Sequence, residues 1–457
     1  MIYRLFRAIW RAALFAFFRR VDVQGRERVP VRGPLLLVSN HANAFVDPLL
    51  VITALRRPVS LTAKSTLRRN PLLAALIRAL HVIEFHRGQD RAEGADPSRN
   101  VDAMAACRRR LAEGGAVCIF PEGVSHSDPA LRPFRTGAAR IALDFLAEAD
   151  PGAALTIVPV GLQYEEKERF RSAAGIVFGA PLDAAAWLRD HPEADAGALT
   201  AEMESGIRAL TANFATEREV ATFARAEALW NAAAEPPVPL DRAEPVDITL
   251  RLQRIHRLQD GRGWLARERA DELAALERRV DQLHGALREL GVSPDELFLP
   301  MDAGRAAFFV LREAEVMLIG APLAAWGALN HAPILLTLRA LVRRRSTDRD
   351  HFASNAVFLG LPIVPVFYAV QIGVAGLLLP AFWTVVYAAS LPFTAAVALL
   401  YADRAGGVVR RARTFLRFAR RPEHQRRLRA DALAIVDDLR LLDAELTARE
   451  EAVAGGR

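Results

Sequence analysis

Cysteine is almost missing from this chain of 457 residues, with Cys107 and Cys118 its only two. Two thiols exclude a disulfide framework and a cysteine-rich zinc site, and free cysteine is the usual state in the cytoplasm. Lysine is as scarce: Lys64 and Lys167 stand alone, so arginine supplies nearly all of the positive charge. Aromatic residues are not interleaved with the basic ones, as a stacking platform for single strands requires, so nucleic acid is not an expected partner. There is no glycine-rich phosphate loop of the nucleotide-binding kind. His81 and His86 flank Glu84, but their spacing misses the zinc-protease helix patterns by a residue, and no metal is expected. Gly123-Val124-Ser125-His126-Ser127 lacks the last glycine of the hydrolase elbow, which weighs against a serine nucleophile.

What the chain does have is unevenly placed. Hydrophobic residues make up 52%, concentrated late, and the formal net charge is +7. A basic balance suits an anionic membrane face or phosphorylated ligands. Residues 1–20 read as an amphipathic helix in a membrane interface, with Arg4, Arg7 and Arg11 on one face. The alternative is a helix packed on its own domain. Residues 21–185 alternate short apolar runs with helical stretches. Strands are expected at Leu35–Val38, Val59–Ala63, Val82–Phe85, Ala116–Phe120, Thr156–Leu162 and Gly175–Phe178. Helices are expected at Pro48–Leu55, Pro71–Leu80, Ser98–Glu113 and Thr136–Ala149. Strand and helix in turn predict an α/β layer fold with active residues where strands end.

Residues 186–310 read as a helical extension with a linker near 233–245, and apolar residues, mostly leucine, at spacings of three and four over 246–290 predict a helical hairpin or a short coiled coil. Residues 311–402 form a membrane region. The apolar segments 355–379 and 381–401 are each long enough to span and are expected to form a transmembrane hairpin. The stretch 316–338, with Asn330, His331 and two prolines, is expected to be re-entrant or interfacial. Residues 403–457 are a basic helical tail. Arg343, Arg344 and Arg345 before the hairpin and the arginines after it place both flanks in the cytoplasm.

The chemistry is concentrated in four ordered segments. Ser39-Asn40-His41-Ala42-Asn43-Ala44-Phe45-Val46-Asp47-Pro48 follows an apolar strand. Histidine is the side chain whose pKa lies nearest neutrality, and a carboxylate on its far nitrogen fixes the tautomer for proton abstraction. The pair suggests transfer to a hydroxyl, with His41 as base and Asp47 as its orienter. Asp47 before Pro48 also reads as a helix N-cap. Lys64 and Arg87 follow strands and suit a phosphate. Glu122 and Gly123 follow the apolar run ending at Phe120, and Val158-Pro159-Val160-Gly161-Leu162 forms a further strand.

These segments resemble the four signature blocks of the glycerolipid acyltransferases, which esterify glycerol phosphate and lysophosphatidate. The resemblance covers residues 21–185. Five residues separate His41 from Asp47, where most members have four, and Val124-Ser125-His126-Ser127 replaces their Thr-Arg-Ser. Both departures are similar to the fungal-type glycerol-3-phosphate/dihydroxyacetone-phosphate branch, with its His-Ala-Asn-Gln-Phe-Val-Asp-Pro and Phe-Pro-Glu-Gly-x-Ser-His segments. The resemblance implies an acyltransferase-like αβ domain, acyl-CoA or acyl-carrier protein as donor, and direct attack without an acyl-enzyme. It implies that Lys64, Arg87, Glu122, Gly123, Ser125, His126 and Arg135 serve the acceptor and its phosphate, with Arg132 and Arg140 as alternatives to Arg135. It also implies that Val158, Pro159 and Gly161 lie near the donor or in a pocket wall. No cofactor is expected beyond the acyl donor. The expected partners are membrane lipids, the donor and a glycerol phosphate acceptor, at the cytoplasmic face of the inner membrane. Glycerol 3-phosphate acylated at sn-1 is the expected acceptor, and lysophosphatidate is the runner-up. A non-catalytic lipid-binding protein and a hydrolase are the readings of other classes.

Overall fold

A computed structural model describes residues 2–64, 82–86, 100–150, 152–234, 248–299, 303–345 and 349–455. The helix expected over Pro71–Leu80, Arg87 and the linker residues 235–245 lie outside them. The chain divides into two compact units: Met1–Asn213 with Pro333–Leu377, and Phe214–Ala332 with Leu378–Arg457.

The first unit is built on a sheet of β1 (Arg20–Gln24), β2 (Leu35–Ser39), β3 (Ser60–Lys64), β4 (Ile83–Phe85), β5 (Ala116–Ile119), β6 (Thr156–Tyr164), β7 (Ala173–Phe178) and β8 (Leu182–Asp183). The strand order is β1-β7-β6-β2-β5-β3-β4, with β8 on β6. β2 is central and every residue of it is buried, which suits a continuous apolar run covered on both faces. β2 runs parallel to β5 and β6, β5 to β3, and β3 to β4. The carboxyl ends of these five strands therefore gather at one edge, where loops are free to carry chemistry. Sequence reading missed β1 and β8. β1 alternates Val21 and Val23 with charged and polar residues and is nowhere fully buried, and β8 is two residues long.

Helices cover both faces. Leu36 and Val38 of β2 meet α3 (Asn100–Ala112), α4 (Gly137–Glu148) and α6 (Ala196–Arg208), the last preceded by the short α5 (Ala184–Asp190). Leu35 and Leu37 point the other way, as strand alternation requires, toward α1 (Ile2–Phe17) and α2 (Val46–Ala54). α2 begins at Val46, so Pro48 is not its first residue and Asp47 is not its N-cap; Phe45 holds that position.

α1 is fastened along one face. Trp10, Leu14 and Phe17 are buried, and the Arg7 guanidinium donates to the Leu55 carbonyl at 2.8 Å. Arg171, at φ +65°, closes the helix end: its guanidinium donates to the carbonyls of Phe15 and Phe18 at 2.6 and 3.0 Å. Leu5, Ile9 and Phe15 are left exposed. The helix is thus packed on its domain and still presents an outward apolar face beside the exposed Arg4 and Arg11.

The second unit is helical. α7 (Glu217–Ala234), α8 (Ile248–Glu268), α9 (Ala270–Leu290), α10 (Pro294–Leu297) and a long final helix Pro422–Gly455 enclose Leu229, Leu258, Val280, Leu283, Leu287, Ile435 and Val436. α8 and α9 are the hairpin expected from the leucine spacing.

Three helices among the described residues are long and apolar enough to cross a membrane. They are α11 (Ala303–Arg345), α12 (Arg349–Leu378) and α13 (Ala381–Ala419), and the final helix is α14. The stretch 316–338, expected to be re-entrant or interfacial, lies within α11, which passes through Pro322 and Pro333 as one helix. Its Glu313, Met317 and Gly327 meet Arg404, Tyr401 and Thr394 of α13.

Candidate active site

His41 follows the carboxyl end of β2 in the loop of residues 40–45, and Asp47 faces it from the first turn of α2. The Asp47 carboxylate is fully buried. One of its oxygens, Oδ2, lies 2.8 Å from His41 Nδ1 and accepts the Asn43 N–H at 2.7 Å. Its other oxygen accepts the Tyr164 hydroxyl from the end of β6. Burial, and the charge and hydrogen bond of Asp47, raise the Tyr164 pKa far above its ordinary value, so the phenol stays protonated and donates. With a carboxylate at Nδ1, the proton sits on that nitrogen and the lone pair on Nε2, which has no hydrogen-bond partner among the described residues. The imidazole stacks on Phe120 with ring centroids 4.3 Å apart, fixing its plane. The loop carries strain: Ala44 has φ +30° with a Cβ to accommodate.

A second histidine–carboxylate pair braces the first. Glu122 Oε1 accepts the His41 backbone N–H at 2.7 Å, and Oε2 accepts the Arg132 N–H at 3.0 Å and the His126 ring. The Asp128 N–H donates to His126 Nδ1 at 3.1 Å, so His126 Nε2 carries the proton given to Glu122. Burial alone would raise the Glu122 pKa. The His126 ring and the N–H groups of Arg132 and His41 outweigh it and hold the carboxyl below its usual range. The His126 N–H in turn donates to the His41 carbonyl at 3.2 Å. Glu122 therefore ties the loop after β2 to the loop after β5, and its oxygens face protein donors.

Gly123 has φ +76°, and a Cβ added there would stand 2.9 Å from Arg135 Nε. Glycine meets both requirements. Arg135 is exposed and has no carboxylate partner among the described residues. Arg132 is paired with Asp128 at 2.6 Å, and Arg140 lies exposed on α4. Ser125 shares the loop with Glu122 and His126. Lys64 is the last residue of β3. Asn40 bridges to β6, donating to the Leu162 carbonyl at 3.0 Å and accepting its N–H at 2.7 Å.

Val158, Pro159 and Gly161 do not share one surface. Val158 lies in the core with α1 and α2. Pro159 and Gly161 alternate to the opposite face, where a Cβ on Gly161 would stand 2.4 Å from the Leu210 carbonyl oxygen and Pro159 packs near Gly179 and Gly206. Strand alternation thus divides the three residues between the two faces of β6, with Leu210 against Gly161.

Sequence reading missed Tyr164 and Lys167. Tyr164 lies just past the apolar run of β6, and a phenol at a strand end on the active edge was the available signal. Lys167 Nζ lies 3.4 Å from the His126 carbonyl oxygen, on the loop between β6 and β7. It also missed Ser354 of α12, whose Oγ accepts the Phe45 N–H at 3.0 Å.

Residues 20–163 match the Acyltransferase family. An uncharacterized acyltransferase of Schizosaccharomyces pombe is 28% identical over 248 residues, covering 36% of this chain and 37% of that one. Glycerol-3-phosphate O-acyltransferase 1 of Saccharomyces cerevisiae is 25% identical over 249 residues, covering 36% and 33%. A 1-acyl-sn-glycerol-3-phosphate acyltransferase of Borreliella burgdorferi is 27% identical over 139 residues, covering 30% and 52%. The chain spans about a third of the length of the first two relatives.

Proposed function

We propose, because residues 20–163 are an Acyltransferase family domain with His41 Nε2 left free beside a buried Asp47, that the chain is a membrane-bound O-acyltransferase of phospholipid synthesis. The donor is acyl-CoA or acyl-carrier protein, and the acceptor is glycerol 3-phosphate, acylated at sn-1. His41 Nε2 takes the acceptor hydroxyl proton as that oxygen attacks the thioester carbonyl. The tetrahedral adduct then expels the thiolate, which takes the proton from the imidazolium. One ester C–O bond forms, one thioester C–S bond breaks, and no acyl-enzyme intervenes. A positioned base of this kind is worth about 10² to 10⁴ in rate. Asp47, held by Tyr164 and the Asn43 N–H, keeps Nε2 aimed and supports the imidazolium. Arg135, exposed beside Gly123, is the described cation best placed for the acceptor phosphate. The arginines flanking the apolar helices support a catalytic domain on the cytoplasmic face of the inner membrane.

The single observation that carries the reading is the His41–Asp47 contact with Nε2 unpartnered. Detergent-solubilised protein given labelled acyl-CoA and glycerol 3-phosphate should yield lysophosphatidate, and His41→Ala should lower the rate about 10² to 10⁴-fold without loss of folding. Product formed equally well by that variant would refute the mechanism. Free acid released without acceptor would indicate hydrolysis, and absence of turnover a lipid-binding role. Lysophosphatidate as acceptor is the second reading, favoured by the relative from Borreliella burgdorferi that is named for that reaction. Acceptor competition in the same assay separates the two.

A further inference from the structure

α12 has two environments along its length. From Phe352 to Leu361 it is packed into the core of the first unit, with Ala353, Ser354 and Val357 buried. Beyond this segment come Pro362 and Pro365, and then Val366, Val370, Val374 and Leu377 stand exposed. The docked part sits on the His41–Asp47 loop. Phe358 meets Phe45 edge-on with ring centroids 4.5 Å apart, and meets Trp10 of α1 at 5.4 Å. Ser354 is the polar contact in this apolar seat. It is 1% exposed; its Oγ accepts the Phe45 N–H at 3.0 Å, and its hydroxyl reaches the Asn43 carbonyl at 3.4 Å.

These contacts clasp Ala44, the strained residue between Asn43 and Phe45. A conformation of this kind persists only where its surroundings over-determine it. On one side Asp47 holds the Asn43 N–H with the same oxygen that orients His41. On the other, Ser354 holds the Asn43 carbonyl and the Phe45 N–H. Without the hydroxyl, the Phe45 N–H loses its acceptor, and the loop is released toward a relaxed φ at Ala44 that carries Asn43 away from Asp47.

We infer that Ser354 is a positioning residue for His41, so that proton abstraction depends on the seating of a candidate membrane helix upon the catalytic loop. This rests on His41 acting as the base. Threonine and valine have nearly the same shape and differ by the hydroxyl, so Ser354→Thr and Ser354→Val isolate its role from packing. With wild-type protein turning over acyl-CoA, Ser354→Val should lose about tenfold in kcat, with acceptor KM within about twofold, and Ser354→Thr should recover most of the loss. Carbethoxylation of His41 by diethyl pyrocarbonate, followed on its peptide by mass spectrometry, should change in rate in the valine variant and not in the threonine one. Equal kcat and equal His41 labelling in the two variants would overturn the role of Ser354 while leaving the function intact. Equal loss in both would assign the effect to packing and overturn it as well. Ser354→Ala, which adds no bulk, reports the loss of the hydroxyl should both branched variants fold poorly. Unmoved kcat and labelling in Ser354→Ala would overturn the inference too. Absence of turnover in the wild type would be a failure of the acyltransferase reading instead.

Discussion

At the level of single residues, the site is two carboxylates with divided duties. Asp47 addresses the His41 ring, and Glu122 addresses the His41 backbone. Tyr164 belongs with Asp47, since its hydroxyl saturates the oxygen that His41 does not use. Tyr164→Phe should lower kcat about three- to tenfold, the size of one lost ordinary hydrogen bond, with little change in acceptor KM. Steady-state kinetics at fixed donor would check it. Glu122 supplies a pH signature. Its folded pKa lies below the unfolded value, so its stabilisation is fully present above the usual carboxylate range and is lost as pH falls through the folded pKa. Glu122→Gln should therefore melt earlier than wild type at pH 7, by about 1–3 kcal/mol. The gap should close progressively below about pH 4. Thermal melts across that range would show it. Of these roles, the histidine and its nearby aspartate were legible because both lie in one short segment. The duties of Tyr164 and of the Glu122 carboxylate were not, because each reaches its partner across the sheet.

Elements tell a similar story at longer range. β2 was readable from Leu35-Leu36-Leu37-Val38 because a central strand needs apolar residues on both faces. β1 was not, because an edge strand with Arg20, Asp22 and Gln24 looks like a loop in one dimension. α2 shows how local signals mislead: Asp-Pro suggested a cap, whereas the demands of His41 and Asn43 draw Asp47 inside the first turn. α1 is secured by a residue more than 150 positions away, Arg171. Arg171→Met should cost about 1–2 kcal/mol, freeing the last turn of α1. Arg171→Gly, which suits the left-handed backbone, should lose less. Hydrogen exchange over residues 14–18 would separate the two.

For the whole molecule, the family match accounts for residues 20–163, and the sequence pattern accounts for helices beyond it without saying what they pack against. The apolar surface of α11, α12 and α13 predicts a protein that stays in the pellet after alkaline carbonate washing and leaves it only in detergent. Burial raises the pKa of both native thiols, so maleimide should leave them unlabelled in the folded protein. A cysteine placed at exposed Glu193 should then react with an impermeant reagent from the cytoplasmic side alone; reaction from the other side would reverse the proposed orientation. The contact between Phe45 and Ser354 has a further consequence in time. Its partners are 309 residues apart. At about 5–20 residues per second, the ribosome needs roughly 15–60 seconds to supply the second after the first. The nascent sheet can form in that interval, yet the loop from His41 to Asp47 waits for a segment made much later. On the proposed function, a chain interrupted before α12 would thus be folded but hold His41 poorly aimed until synthesis has reached the apolar helices.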